Sequence, residues 1–145
     1  MRWPCRRLGA AAAVFDERGR VLLVKHTYGP LNWELPGGTS EPEESVIGTA
    51  LRELREETGV DAVAESLTGI YWNPEDDVHN FVFRCRVDDG GDPVPTSPEI
   101  SECAFWDTAD LPRPISDFTV RRVVDAVSKS PQPLPITVPD RTILR

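Results

Sequence analysis

Cysteine and histidine are scarce in this sequence of 145 residues, and both shortages limit what the protein can be. The three cysteines, Cys5, Cys85 and Cys103, are widely separated and include no CxxC pair. We therefore expect no disulfide framework, and we take the reducing cytoplasm as the expected location. The two histidines, His26 and His79, lack the spacing of a metal-ligand pair, and we interpret them as ordinary polar strand residues.

The sequence also lacks a long hydrophobic run and an excess of positive charge. No stretch approaches the ~20 apolar residues that would span a bilayer. The start, MRWPCRRLGAAAAVF, has the basic-then-apolar order of a secretory signal, but its apolar part is short and no cleavage region follows, so a first strand is favoured. The net charge of -8 argues against a nucleic-acid backbone or an anionic membrane as partner. A phosphorylated small molecule is compatible with this charge, because a bound metal can reverse its local sign.

The composition that is present, 39% hydrophobic and 28% charged residues, is ordinary for a globular protein. The length fits one domain, which we place at residues 1–129. A Pro-rich tail at 130–145 is expected to be extended or partly disordered.

Alternating apolar residues and turn signals predict several strands and two helices. Gly9–Phe15 and Val21–Lys25, with the polar turn DERG between them, predict an antiparallel hairpin. Trp33–Leu35 is expected to be a short strand that is stopped by PGG. Further strands are predicted at residues 62–68, 70–73, 78–87 and 104–106, and a second amphipathic helix at 116–128.

The segment ELPGGTSEPEESVIGTALRELREETGV predicts the first helix. Ser40 and Glu43 have the spacing of a capping box, Pro42 suits a first turn, and Gly59 is a natural stop. One face carries five apolar residues that must pack on a sheet: Val46, Ile47, Ala50, Leu51 and Leu54.

Three glutamates, Glu53, Glu56 and Glu57, crowd the border of that apolar face. Like charges at this spacing cost a helix a few tenths of a kcal/mol per pair. Arg52 can reach Glu56 at i+4, but no basic residue along the helix neutralises the other two. A solvated acidic face is the simplest interpretation for an average helix. At a partly desolvated border the repulsion is stronger, and converging oxygen donors suit a hard divalent cation such as Mg²⁺.

The spacing of this segment resembles the box of the Nudix hydrolases: Gly, five residues, Glu, seven residues, then Arg-Glu-apolar-x-Glu-Glu-x-Gly-apolar. Every defined position is filled, by Gly38, Glu44, Arg52, Glu53, Leu54, Glu56, Glu57, Gly59 and Val60. With residue frequencies of roughly 7%, chance agreement is on the order of one in a billion. The resemblance extends to AAAVFDERGRVLLVKH, WELPGG and PEISECAFWDTADLP, and covers roughly residues 8–128. One departure is Glu43, at a position that is often Gly in the family; we expect it to be harmless at a helix start, where negative charge is favourable.

The resemblance implies an α/β protein whose fold is an α/β/α sandwich with a mixed β-sheet. It also implies Mg²⁺- or Mn²⁺-dependent hydrolysis of the diphosphate linkage in a nucleoside diphosphate joined to a group X, such as ADP-ribose or a related nucleotide sugar. The chemistry agrees, because a metal can neutralise the diphosphate while water is oriented in line with the scissile P–O bond. The expected partner is thus a small-molecule nucleotide, and homodimers are common among relatives.

The resemblance further implies roles for individual residues. The implied metal ligands are the Gly37 carbonyl, Glu53, Glu56 and Glu57, with Glu44 acting through water. Arg52 is expected to orient the neighbouring carboxylates. The general base varies in the family. Glu53 is our first choice, and Glu99, in the loop before the last strand, is the alternative as base or extra ligand.

Substrate contacts are less well defined by the sequence. Gly38 would let the backbone approach a phosphate closely. Arg84 and Arg86 alternate with the apolar face of their strand, and either could meet a phosphate or stay exposed. Pro74 lies near the distance after the box that accompanies ADP-ribose in some relatives. Four aromatic residues could stack on a base or belong to the core: Trp33, Tyr71, Trp72 and Phe105.

Two other functions are compatible with the same residues. The first is identical chemistry on a nucleoside triphosphate, including oxidised forms. The second is a non-catalytic sensor that binds a nucleotide. A sensor would have little need for an intact set of carboxylates and usually comes fused to a DNA-binding module, so the enzyme is favoured.

Overall fold

The computed structural model describes residues 5–88, 91–128, 136–137 and 141–145. In these residues ten strands form one sheet and two helices pack on it. The strands are β1 (Leu8–Phe15), β2 (Val21–His26), β3 (Trp33–Glu34), β4 (Gly37–Thr39), β5 (Ala62–Asn73), β6 (Val78–Val87), β7 (Ile100–Trp106), β8 (Ile115–Ser116), β9 (Ile136–Thr137) and β10 (Ile143–Leu144). The helices are α1 (Val46–Thr58) and α2 (Asp117–Ser128).

The centre of the sheet is the parallel pair β1 and β6, in register from Leu8 opposite His79 to Phe15 opposite Arg86. Antiparallel neighbours extend it on both sides, with β5 beside β6 and β2 beside β1. The strand order is β10-β8-β3-β2-β1-β6-β5-β9, and β4 and β7 pair additionally with β1 and β2. The sheet is therefore mixed, as expected.

Two hydrophobic cores lie on opposite faces of this sheet. Because side chains alternate along a strand, β1 contributes to both, and its run LGAAAAVF is apolar at successive positions. Ala12 and Val14 pack in the core that includes Leu54 of α1. Ala13 and Phe15 pack in the core that includes Phe118 of α2. This arrangement confirms the α/β/α sandwich.

Several predicted elements are confirmed and others differ in extent. The β1–β2 hairpin, the strand at 78–87 and the second helix are present. Residues 62–73 form one strand with two register irregularities, where we expected two strands. PGG does not end the local strand structure, because Gly37–Thr39 pairs with β1 as β4. In the predicted tail, β9 and β10 pair with β5 and β8, and residues 129–135 and 138–140 lie outside the described range.

The start of α1 was predicted wrongly. The helix begins at Val46, and its N-cap is Ser45, whose Oγ accepts a hydrogen bond from the Gly48 amide at 3.0 Å. Ser40 cannot cap it because its hydroxyl instead pairs with Thr49 Oγ1 at 2.7 Å. Glu43 lies before the helix in the left-handed region, with φ 65°. The predicted stop at Gly59 is confirmed.

The buried face of α1 is also rotated from the prediction. Ile47 is exposed, whereas Thr49, Glu57 and Thr58 are buried together with Ala50 and Leu54. No helix in the described part of the chain is long and apolar enough to cross a membrane.

Candidate active site

Glu53 and Glu57 stand side by side between α1 and the sheet, and they differ sharply from an ordinary acidic helix surface. The Glu57 residue is only 5% exposed. Its Oε2 accepts one backbone hydrogen bond, from the Gly37 amide at 3.2 Å. The Glu53 side chain is 18% exposed and contacts Arg52 Nη1 at 3.0 Å. Glu53 thus has the partly buried border position that the sequence predicted, whereas Glu57 is more buried than predicted.

Two glycines of β4 allow this approach. An added Cβ at Gly38 would lie 2.6 Å from Glu53 Oε1, and one at Gly37 would lie 2.4 Å from the Ala10 carbonyl oxygen. Any side chain at either position would displace Glu53 or β1, since contacts this short are repulsive. The glycines of the box therefore bring the backbone of β4 against the carboxylates.

Burial and the fields of neighbouring acids raise the pKa of both Glu53 and Glu57. Burial, with the added field of Glu53, raises the pKa of Glu57 to about 8, although the Gly37 amide opposes the change. Burial also raises the pKa of Glu53, and Arg52 only partly offsets it. Ionisation of both acids therefore creates negative charge that the surrounding protein does not fully compensate.

Arg52 holds the acids around it in fixed positions. Its Nε and Nη2 donate to the two oxygens of Glu44, at 2.6 and 3.0 Å, in a bidentate contact. Its Nη1 contacts Glu53, and also Glu56 at 3.2 Å, as the i+4 spacing predicted. Arg52 lowers the pKa of Glu44 to about 2, so Glu44 remains ionised. This network matches the orienting role expected for Arg52.

Glu44 has different partners from those expected. Besides Arg52, its Oε1 accepts from Thr49 Oγ1 at 2.6 Å and from the Glu41 amide at 3.1 Å. Both carboxylate oxygens are therefore engaged by the protein. In this arrangement Glu44 anchors Arg52, and Thr49, which sequence reasoning did not single out, anchors Glu44.

The three predicted acidic ligands differ in their exposure. Glu56 is exposed and its carboxylate pairs with Arg52. Within the residues that the structure describes, no three His, Cys, Asp or Glu side chains form a ready-made cation site. The donors that do meet, Glu53 and Glu57, are anionic oxygens, which suit a hard divalent cation. A cation beside them would remove the repulsion that raises their pKa values.

Glu99, the alternative base or extra ligand of the sequence analysis, lies in the loop directly before β7. Its field contributes to the raised pKa values of Glu53 and Glu57. Its loop is fastened at both ends: the Thr27 amide donates to the Glu99 carbonyl at 2.8 Å, and the Thr96 amide donates to the Glu57 carbonyl at 3.1 Å. The exposed Glu99 side chain is thus held near the acids by its backbone.

Glu34 is a further acid near the site that sequence reasoning missed. Its field adds to the raised pKa of Glu57. Its Oε1 accepts from the Leu35 amide at 2.9 Å, from Thr119 Oγ1 at 2.6 Å and from Arg122 Nη2. The WELPGG resemblance could have drawn attention to Glu34. Its partners on α2 could not be predicted, because they lie more than 80 positions away in sequence.

Other predicted substrate-contacting side chains lie elsewhere. Arg84 donates to the Ala126 carbonyl at 2.8 Å and stacks on Phe15, on the α2 side of the sheet. Trp33 is buried in the same core against Trp106. Tyr71 is fully buried and donates to Asp125 at 2.6 Å, and Phe105 packs in the core beneath α1. Trp72 donates to Asp77 and stacks with His79. The structure does not bring these residues together with the box acids.

Comparison with known proteins places this geometry in context. A family model described as NUDIX domain matches residues 6–126. A MutT-like protein of Streptomyces ambofaciens is 31% identical over 125 residues, covering 86% of this chain and 79% of that protein. A protein of Methanocaldococcus jannaschii named ADP-ribose pyrophosphatase is 30% identical over 108 residues, covering 72% of this chain and 64% of that protein.

A solved structure shows the same relationship. The crystal structure of an ADP-ribose pyrophosphatase from Streptococcus suis superposes with a TM-score of 0.72 and 27% identity, covering 92% of this chain and 100% of that one. Two other curated relatives match this chain over only part of their own length. The matched segment covers 50% of one and 21% of the other.

Proposed function

Since the chain belongs to the Nudix hydrolase family, we propose that it hydrolyses the diphosphate linkage of a nucleoside diphosphate derivative, with ADP-ribose or a related nucleotide sugar as the substrate. Two relatives at 30% and 27% identity carry the name ADP-ribose pyrophosphatase, which supports this choice. Hydrolysis of ADP-ribose adds one water and yields AMP and ribose 5-phosphate. The observation that carries the proposal is the buried, uncompensated Glu53–Glu57 pair at the centre of the box.

Members of the family generally use a divalent metal ion, and the residues present fit one. Glu53 and Glu57 would hold it, with the Gly37 carbonyl beside them; Glu56 would join if it left Arg52. Mg²⁺ is the expected ion and Mn²⁺ the alternative, because both favour oxygen donors. When bound, the ion would supply positive charge to the diphosphate oxygens.

The protein's own groups then have separate tasks. Glu53, with a raised pKa, is a suitable general base, because a base works best when its pKa lies near the operating pH. Glu99, the alternative base, borders the same pair. Arg52 fixes the direction of Glu53, and Glu44 fixes Arg52 through its bidentate contact. We therefore propose Arg52 and Glu44 as positioning residues, and we assign Gly38 the close backbone approach to a substrate phosphate.

A substrate panel tests the proposal directly. ADP-ribose, other nucleotide sugars and nucleoside triphosphates would be incubated with Mg²⁺ or Mn²⁺, and released nucleoside monophosphate and phosphate measured. We expect turnover of a nucleotide sugar, with loss of activity in excess chelator. Preferred release of diphosphate from a triphosphate would favour the triphosphate enzyme. Absence of turnover of every substrate with either ion, in folded protein, would overturn the proposal.

A further inference from the structure

Tyr28 and His26 form a stacked pair of rings at the end of β2. Their ring centroids are 4.6 Å apart and their planes differ by 14°. His26 is half-buried, whereas Tyr28 is 53% exposed. Since His26 covers only one face of the phenol ring, the exposed remainder can accept another flat group.

This ring pair is held in place by its loop. The Leu31 amide donates to the Tyr28 carbonyl at 3.2 Å and closes a turn, and the His26 amide donates to the Asn32 carbonyl at 3.1 Å. The Thr27 amide donates to the carbonyl of Glu99, which ties the loop to the acid loop. A surface whose backbone is fixed in advance loses less entropy when a ligand binds.

The ring pair borders the acids of the active site. Besides burial, the fields of Glu99, Glu57, Glu34 and Glu53 raise the pKa of the Tyr28 hydroxyl. The register supports the same placement, because Val24 lies opposite Glu34 and His26 is on the same face two residues further along β2. A group attached to a diphosphate at Glu53 and Glu57 would therefore lie within reach of Tyr28.

Glu34 adds a hydrogen-bond acceptor to this surface. Its Oε1 is bound by Leu35, Thr119 and Arg122, and within the described residues no donor reaches its Oε2. The buried Arg122 binds Glu34 Oε1 and so holds the Glu34 carboxylate in place. The second oxygen can therefore accept from an N–H or O–H group of a ligand.

We infer that Tyr28, backed by His26, stacks on the nucleobase of the substrate, and that Glu34 accepts a hydrogen bond from the same nucleoside. The inference rests on the proposed function, because the diphosphate places the nucleoside at this surface. It replaces the aromatic residues that the sequence suggested, three of which lie in the two cores. Stacking of a base on an aromatic side chain is sequence-tolerant, so Tyr28 supplies affinity and Glu34 supplies preference among bases.

The experiment compares ligands with and without a base. Inhibition constants would be measured, in Mg²⁺, for the four nucleoside monophosphates and for ribose 5-phosphate. The variants are Tyr28→Leu, which removes the ring, and Tyr28→Phe, which keeps it. Val124→Ala, at an exposed apolar residue of α2, is the matched control. Both positions are at the surface, so folding should be retained, and circular dichroism would confirm it.

We expect the wild-type protein to bind its preferred nucleoside monophosphate about tenfold more tightly than ribose 5-phosphate. Tyr28→Leu should remove most of this difference and raise KM with little change in kcat, since the ring is remote from the scissile bond. Tyr28→Phe, which keeps the ring, should retain most of the difference, and Val124→Ala should match the wild type. Equal binding of ribose 5-phosphate and every monophosphate, or unchanged constants in Tyr28→Leu, would overturn the inference.

Two outcomes separate this inference from the proposed function. If the wild type hydrolyses a nucleotide sugar but Tyr28→Leu behaves normally, only the nucleoside contact is wrong. If no diphosphate is hydrolysed but monophosphate binding depends on the Tyr28 ring, the proposed activity is wrong and the contact is correct.

Discussion

The two helices bury charge against the same sheet in opposite ways. On α2, Arg122 is buried but bonds to Glu34, and Asp125 is buried but accepts from Tyr71 at 2.6 Å and from Arg121 at 3.1 Å. On α1, Glu57 is equally buried, yet the charge that acts on it most strongly is that of another carboxylate, Glu53. Compensated charges fix a fold, whereas an uncompensated carboxylate pair leaves room for a cation.

The compensation of the buried Arg122 on α2 is incomplete. Burial lowers the pKa of Arg122, and its Nε has no hydrogen-bond partner among the described residues. Its guanidinium also lies 4.0 Å over the Phe118 ring, a favourable cation–π distance. The charge of Arg122 is therefore compensated by Glu34, whereas its Nε–H donor is not satisfied by the described residues.

The largest expected effect comes from removing a charge on α1. Glu57→Gln keeps size and helix propensity but removes an anionic oxygen donor, so kcat should fall by at least ~10²-fold. Glu53→Gln should be similarly severe, and Glu99→Gln should be milder unless Glu99 is the base. Steady-state hydrolysis of the best panel substrate measures this. Glu43→Gln, outside the site, is the control and should keep the wild-type rate.

Removing the partner of a buried charge on α2 should act on stability. Glu34→Gln leaves the buried Arg122 without its anionic partner, so the free energy of unfolding should fall by about 3 kcal/mol. Urea unfolding measures the change. The double variant Glu34→Gln with Arg122→Met should recover much of the loss, because no unpaired charge stays buried. A single variant as stable as wild type would show that this pair is not what compensates Arg122.

The stability of the metal-free protein should depend on pH through Glu57 of α1. The pKa of Glu57 is raised to about 8 in the folded protein, above the ordinary pKa of glutamate in the unfolded chain. Proton binding to Glu57 therefore stabilises the folded state, and this contribution is complete below the ordinary pKa. That contribution is lost as pH rises through about 8. Metal-free protein should therefore melt at a lower temperature at pH 8 than at pH 5.5, and Glu57→Gln should show a smaller difference. Equal differences in the two proteins would contradict the assignment.

The smallest effect is expected at Glu43, outside both networks. Its φ of 65° is unfavourable for a residue with a side chain, so Glu43→Gly should stabilise the protein by up to about 1 kcal/mol. Thermal unfolding measures it, with Glu43→Ala as the control that keeps a Cβ. This position is often Gly in the family, and the backbone gives a physical reason, where we had expected a favourable helix-start charge.

Local patterns predicted those features that depend on neighbours in sequence. The β1–β2 hairpin, the stop at Gly59 and the Arg52–Glu56 contact follow from turn chemistry and helical spacing. The start of α1 was missed because Ser40 and Glu43 have the spacing of a capping box, whereas the Thr49 contact that occupies the Ser40 hydroxyl is a tertiary feature.

The surroundings of the site could not be predicted because they join distant segments. Glu34 bonds to Arg122 of α2, and the loop that carries Tyr28 is tied to the Glu99 loop by a hydrogen bond from the Thr27 amide. The box placed the three acids on one helix, but it could not show that Glu57 is buried while Glu56 is exposed. That difference depends on how β4 and α1 pack.

The central claim is that the uncompensated pair on α1 binds a divalent cation, and a thermal melt with Mg²⁺ at pH 8 tests it most directly. A ligand that binds only the folded state raises the melting temperature with its concentration. The wild type should gain several degrees in millimolar Mg²⁺ and lose the gain in excess chelator, whereas Glu57→Gln should gain little. No gain in the wild type, or an equal gain in both proteins, would contradict the account.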